Sequence, residues 1–306
     1  MNKSPIGYGD YTDVLVVTIT PRRPDRTVDV EGVKRNAVYL ADRGVKIIMP
    51  QCGTGLVYDS SLDDYRKTVE ATIEAVGDRA YVIPGAGPGF GRAEETGRIA
   101  REVGVDAVMI MPVVGPASPE GLYTGMCDLI GSLGLPVVLY LKDARLMPVD
   151  STVRLARMSQ VHAIKYAVAD YDMFEALVRE VGDEVVLLCG MAEKPAVAFM
   201  DRGAKGYSSG MANFVPKLSL AMHRAHRSGN RAEVERIHGL MVPFEDIRGE
   251  AKGKYNAAAL HVANEHIGLA GGPVLPMCAD VAENDLARVR DLTDRLMAEE
   301  HDMGGV

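Results

Sequence analysis

Lys165 stands inside an apolar run, Val161–Val168, with Ala163 and Ile164 on one side and Ala167 and Val168 on the other. An ammonium is costly to bury there, so the surroundings favour the neutral amine. A neutral amine can add to a ketone, lose water and leave an iminium that draws electrons toward itself. A strand-end lysine whose head reaches solvent would look the same, and position alone divides the two readings evenly. Tyr140, at the end of the run Pro136–Leu141, lies one repeat earlier, where a phenol could carry protons or simply fill the core. Gly53-Thr54-Gly55 follows the run Val45–Pro50. Such a turn can offer backbone N–H groups to a carboxylate, or be only a turn. Lys142 follows the same run as Tyr140, and the pair Ser208-Ser209 ends the run Lys205–Gly210.

These residues need a frame that brings distant strand ends together. Eight short apolar runs recur 20–35 residues apart: Val14–Thr20, Val45–Pro50, Tyr81–Gly87, Ala107–Met111, Pro136–Leu141, Val161–Tyr166, Glu184–Gly190 and Lys205–Gly210. Several are apolar on both faces, as strands of a covered parallel sheet must be. Amphipathic stretches such as Asp63–Val76 and Ala93–Val103 separate them. Gly44, Gly104, Gly134 and Gly203 stand where helix C-caps belong. The pattern predicts an α/β fold, a (β/α)8 TIM barrel, with the site at the C-terminal ends of the strands. An open doubly wound sheet would usually have fewer strands. Helix Lys217–Arg227 completes a barrel over residues 1–228. Residues 229–306 read as a C-terminal helical extension, Ala232–Arg248, Lys254–Ile267 and Asn284–Glu299, packed beside it.

Composition narrows the function classes. The 306 residues are 47% hydrophobic and 25% charged, the balance of a globular chain. A net charge of −8 gives no basic footprint for nucleic acid. The N-terminal stretch has no apolar core of a secretory signal, and no run is long enough to span a bilayer. The four cysteines, Cys52, Cys127, Cys189 and Cys278, lack framework spacing and read as free thiols of a cytoplasmic protein. Gly85–Gly91 is out of register for a dinucleotide loop. His261 and His266 do not make a zinc motif, and His223 and His226 fall on a helix expected to face solvent. Ser208-Ser209 lack a nucleophile-elbow context.

Together these strand ends resemble the dihydrodipicolinate synthase / N-acetylneuraminate lyase family of class I aldolase-type barrels. The matching features are the Gly-Thr-Gly turn, Pro116–Tyr123, Leu139-Tyr140, Ile164-Lys165, Gly190, Gly206 and Ser209-Gly210 with Asn213. The resemblance implies a Lys165 imine with a 2-oxo acid, proton handling by Tyr140, and substrate contacts at Gly53, Thr54, Gly55, Gly190, Ser208 and Ser209. It implies no metal or organic cofactor, because the imine through Lys165 is the electron sink. It also implies a homotetramer or homodimer.

Within the family, Cys52–Gly55, Tyr207–Pro216, Val242–Arg248 and Gly272–Val274 resemble the 5-dehydro-4-deoxyglucarate dehydratase branch. That implies dehydration with decarboxylation of a 2-oxo-3-deoxy sugar diacid, its second carboxylate read by Lys142 or Arg145. Several features depart from the family, among them Gly53 where the synthases have a first threonine and the Lys142-Asp143 pair. Leu56 replaces the glutamate that usually follows the turn, and Val113-Val114 stand where the synthases have a tyrosine. The turn Gly190–Lys194 leaves only Glu193 in the polyol-reading position of the sialic acid lyases. A pyruvate-dependent aldolase or synthase, and a catalytically silent sugar-acid-binding barrel, are the alternative readings.

Overall fold

The computed structural model describes residues 3–303. Nine parallel strand segments form one curled sheet: β1 (Val14–Val17), β2 (Ile47–Met49), β3 (Tyr81–Val82), β4 (Gly85–Ala86), β5 (Val108–Ile110), β6 (Val137–Leu141), β7 (Val161–Tyr166), β8 (Val186–Cys189) and β9 (Gly206–Ser209). Their order is β3-β2-β1-β9-β8-β7-β6-β5-β4. The two ends of that order are neighbours in the chain, separated only by Ile83 and Pro84, so the sheet closes on itself.

The third apolar run, expected as one strand over Tyr81–Gly87, is therefore two segments. Pro84 has no N–H to give the ladder. Around it Ile83 donates to the Ile48 carbonyl on one side, and the Pro84 carbonyl accepts from Met109 on the other. The remaining runs fall where the sequence put them, trimmed by a few residues at their ends. β1, β2, β5, β8 and β9 are buried throughout, as a sheet covered on both faces requires.

Local signals set the helix ends. Ser61 caps helix Leu62–Val76 by accepting from the Asp64 amide. Gly104 and Gly134 close helices Phe90–Val103 and Pro119–Leu133 in the left-handed region. Helix Pro216–Arg227 matches expectation in extent but not in environment. His223 is buried, with Nε2 2.9 Å from the Lys205 carbonyl, because that face of the helix lies on the barrel.

The C-terminal helices run Arg231–Gly253, Ala258–His266 and Glu283–Asp302. The first passes the expected end at Arg248 and then breaks. Glu250 is extended, and Ala251, Lys252 and Gly253 take left-handed φ values of 47°, 64° and 88°. The extension does more than lie beside the barrel. Ile237, Met241, Phe244, Ile247, Tyr255 and Leu260 belong to the same buried core as the strands, and Phe244 packs on Phe214 with ring centroids 4.9 Å apart. The last helix is tied in by Glu300, which accepts from the Lys217 and Leu218 amides at 3.0 and 2.9 Å. Those amides open helix Pro216–Arg227 and have no partner within it. Among the described residues no helix is long and apolar enough to cross a membrane, and all four cysteines are free.

Candidate active site

Lys165 and Tyr140 are register partners on β7 and β6, which sets their side chains beside each other on one face of the sheet. Lys165 is only 5% exposed. Its Nζ donates to the Gly190 carbonyl at 3.0 Å and lies 3.5 Å from the centroid of the Tyr140 ring. Burial pushes the Tyr140 phenol up, but the Lys165 ammonium and its hydrogen bond outweigh that, and the phenol ends below its ordinary pKa. Gly190 follows β8, where the chain has no room for a side chain. A Cβ there would meet the Tyr166 carbonyl oxygen at 2.8 Å and Lys165 Cγ at 2.9 Å. The glycine lets the lysine stem pass and leaves its own carbonyl pointing at the amine.

The turn after β2 forms the next part of the wall. Thr54 is buried and Gly53 half-buried, and both line a cavity of about 500 Å³ together with Lys165, Tyr140, Lys142, Gly190 and Ser208. Gly55 lies behind it. Its carbonyl accepts from Thr20 Oγ1 at 2.9 Å, and the Gln51 side-chain amide donates to Thr20 Oγ1 and Thr68 Oγ1 at 3.1 and 3.2 Å. A Cβ on Gly55 would come within 3.0 Å of the Thr18 carbonyl. Leu56, in the position where a glutamate was expected from the family, has φ 55° and is buried in the core. The turn is held by Gln51 and Thr20.

Other expected residues are placed differently. Ser209 reaches the cavity wall, but its hydroxyl is directed at buried Glu193 and also accepts from the Ala212 amide at 2.8 Å. Arg145 does not line the cavity. Its side chain is 89% exposed and pairs with Asp143 at 2.7 Å, because a carboxylate two residues earlier on the same turn captures it. Glu193 is fully buried, and burial, followed by the nearby Glu245 carboxylate, pushes its carboxyl up to about 8.

The remaining wall was not expected. Tyr58, Glu245, Arg248, Lys252 and Asn256 all line the same cavity, the last four from the C-terminal segment. Arg248 and Glu245 form a buried ion pair one helical turn apart. The only available signal was the Glu245-x-x-Arg248 spacing within the matching stretch Val242–Arg248, which gives the pair but not where it points. Among the described residues no group of three or more His, Cys, Asp or Glu side chains converges as metal ligands would.

The site is thus an amine held over a phenol ring at the strand ends of a closed parallel sheet, beside a Gly-Thr turn. The sequence matches the dihydrodipicolinate synthetase family over residues 10–295, and the chain belongs to that family. It is 29% identical over 287 residues to a Streptomyces avermitilis protein named "Probable 5-dehydro-4-deoxyglucarate dehydratase 2", covering 92% of this chain and 86% of that one. A Bacillus subtilis protein named "Probable 5-dehydro-4-deoxyglucarate dehydratase" is 27% identical, over 96% of each chain. The dihydrodipicolinate synthase of Oceanobacillus iheyensis superposes with a TM-score of 0.89 at 28% identity, over 97% of this chain and 98% of that one. The Ruminococcus gnavus sialic acid aldolase, at 16% identity and a TM-score of 0.88 over 96% of this chain and all of that one, shares the fold. The chain is thus a lyase of the class I aldolase type.

Proposed function

We propose that this chain is a Schiff-base hydro-lyase, a (β/α)8 barrel enzyme that dehydrates and decarboxylates a 2-oxo-3-deoxy sugar diacid such as 5-dehydro-4-deoxyglucarate. The observation that carries the reading is the Lys165 amine, buried, fixed by the Gly190 carbonyl and 3.5 Å above the Tyr140 ring, in a cavity shared with the Gly53-Thr54 turn. The dehydratase-named relatives support the choice of substrate class.

The Lys165 amine adds to the C2 ketone, and the carbinolamine loses water to give an iminium. The iminium acidifies C3, which gives up a proton, and the resulting enamine expels the C4 hydroxyl as water. Loss of the far carboxylate as carbon dioxide returns an electron pair through the conjugated system to the iminium nitrogen. Protonation and hydrolysis then release a dioxo acid and the free amine. Tyr140, with its lowered pKa, moves protons at the carbinolamine and at C3. Thr54 and the turn amides hold the carboxylate next to the ketone. The imine through Lys165 serves as the electron sink, with no separate cofactor in the scheme. The same resemblance gives a homodimer or homotetramer in the cytoplasm, which light scattering and fractionation test.

A panel of 2-oxo acids tests the reading. Diacids of the 2-oxo-3-deoxy class should yield carbon dioxide and a dioxo acid in equal amounts. Formation of an aldehyde and pyruvate instead would make the chain an aldolase and overturn the dehydratase assignment.

A further inference from the structure

The cavity is charged in a lopsided way. Its lining residues include Lys142, Lys165, Lys194, Arg248 and Lys252 against the single carboxylate of Glu245. Lys165 is engaged at the reacting end, and Lys194 pairs with Asp246 at 2.5 Å. Arg145, the arginine that the sequence suggested for the distal end, is tied to Asp143 outside the cavity. That leaves Lys142, exposed at the end of β6, and, from the C-terminal segment outside the barrel strands, Arg248 and Lys252.

Arg248 is the buried member of that set, at 3% exposure. Nη1 pairs with Glu245, and Nε donates to the Asn256 carbonyl at 2.9 Å. Nη2 has only a long contact, 3.4 Å, to Asn256 Oδ1. The guanidinium is pressed onto the backbone after β9, since a Cβ on Gly210 would lie 2.5 Å from Nη2 and 2.7 Å from Nη1. It is therefore a planar fork, fixed on two edges, with a donor to spare on a cavity wall. That is the geometry suited to one carboxylate.

A second observation concerns the backbone. Ala251 and Lys252 hold left-handed conformations that cost non-glycine residues roughly 1–3 kcal/mol each. The turn is locked by the Arg248 bond to Asn256 and by the Asn256 amide on the Gly253 carbonyl at 3.0 Å. Strain of this kind persists where the surroundings over-determine it, and here it brings Lys252 and Asn256 to the same wall as Arg248.

We propose that Arg248, held by Glu245 and Asn256 and assisted by Lys252, binds the distal carboxylate of the substrate and so selects diacids over monoacids. The selectivity of this enzyme then resides chiefly in the C-terminal segment, and Arg145, paired with Asp143 outside the cavity, takes no part in it. The inference rests on the Schiff-base reading above, because Lys165 fixes the other end of the substrate.

The test compares the full-length protein with Arg248→Lys, which keeps the charge and loses the fork, and Gly210→Ala, which keeps Arg248 and displaces it. Each is assayed with the 2-oxo-3-deoxy diacid, with the monoacid that ends in a hydroxymethyl group, and by borohydride trapping of pyruvate. Both variants should lose about 10²- to 10³-fold in kcat/KM on the diacid, mostly in KM. Turnover of the monoacid and the trapping of pyruvate should change less than about three-fold, which also shows that the fold is intact. Equal losses on diacid and monoacid, or an unchanged diacid KM, would overturn the proposal and assign Arg248 to structure. Wild-type protein that traps pyruvate yet does not prefer the diacid would overturn it too and leave the Schiff-base reading standing. Wild-type protein that traps nothing would overturn both.

Discussion

The two ends of the cavity are built by different means. At the reacting end, Lys165 and Tyr140 sit on adjacent parallel strands and Gly190 directly follows a third, so their mutual placement follows from strand register. Packing on both faces of the sheet leaves that end little freedom. The other end hangs from a helix that breaks at Glu250 into three successive left-handed residues, with Lys252 and Asn256 exposed at its rim. The contrast teaches where each property is encoded. The position of the amine is a consequence of the barrel, while the distal contacts depend on one turn outside it, which can vary without disturbing the strands.

The comparison can be broken most severely at its rigid end. Lys165→Ala should reduce turnover to the uncatalysed background with an unchanged circular dichroism spectrum, since no other amine among the described residues shares its contacts with Gly190 and Tyr140. Residual turnover within about tenfold of wild type would remove the lysine from the chemistry. Tyr140→Phe should lower kcat by roughly 10²–10⁴ and leave KM for the diacid nearly unchanged. If instead kcat holds, the ring is only a shelf for the ammonium.

Gly190→Ala is the sharper probe of preorganisation, because its methyl group would press on Lys165 Cγ rather than remove any reacting atom. A misplacement of the amine by about 1 Å should cost about 10²-fold in kcat, and wild-type rates in this variant would mean that the strand end yields easily.

At the distal end the effects should be smaller. Lys252→Ala removes an exposed rim charge, so KM for the diacid should rise about two- to threefold at low ionic strength and converge with wild type in high salt. A salt-independent change would point to lost packing of the turn instead.

The C-terminal segment also has its own pH signature. His261, buried with Nδ1 3.0 Å from the Gly272 carbonyl, is held down at about 4 by desolvation. The unfolded chain takes up a proton near the ordinary histidine pKa of about 6.5, which the folded chain refuses. Stability should therefore be intact above about pH 6.5 and decline as the pH falls toward 4. Urea unfolding at pH 7 and pH 5 would show it. A His261→Gln variant with the same acid slope would place the loss elsewhere.

How much of this could be read in advance follows the same division. The strands announced themselves because a covered parallel sheet demands runs such as Val-Val-Leu-Tyr-Leu, and a lysine inside one is conspicuous. Only the break at Pro84 was missed, where a residue without an N–H interrupts a run that still looks continuous. Arg145 misled because local sequence shows a cation near the strand end but not that Asp143 takes it. Arg248 was hidden for the opposite reason. Its Glu245 partner makes an ordinary helical ion pair, and only the left-handed turn at Ala251–Gly253 brings that part of the chain to the cavity. Two consecutive non-glycine residues with positive φ leave no trace in a hydrophobic pattern. The resemblance to the dehydratase branch pointed to Val242–Arg248 without saying what it does.

The most direct measurement is reduction by borohydride in the presence of pyruvate, followed by peptide mass mapping. The account predicts a single stable pyruvate-derived adduct on the peptide carrying Lys165, absent in Lys165→Ala. An adduct on another lysine, or none with any 2-oxo acid at saturating concentration, would contradict it.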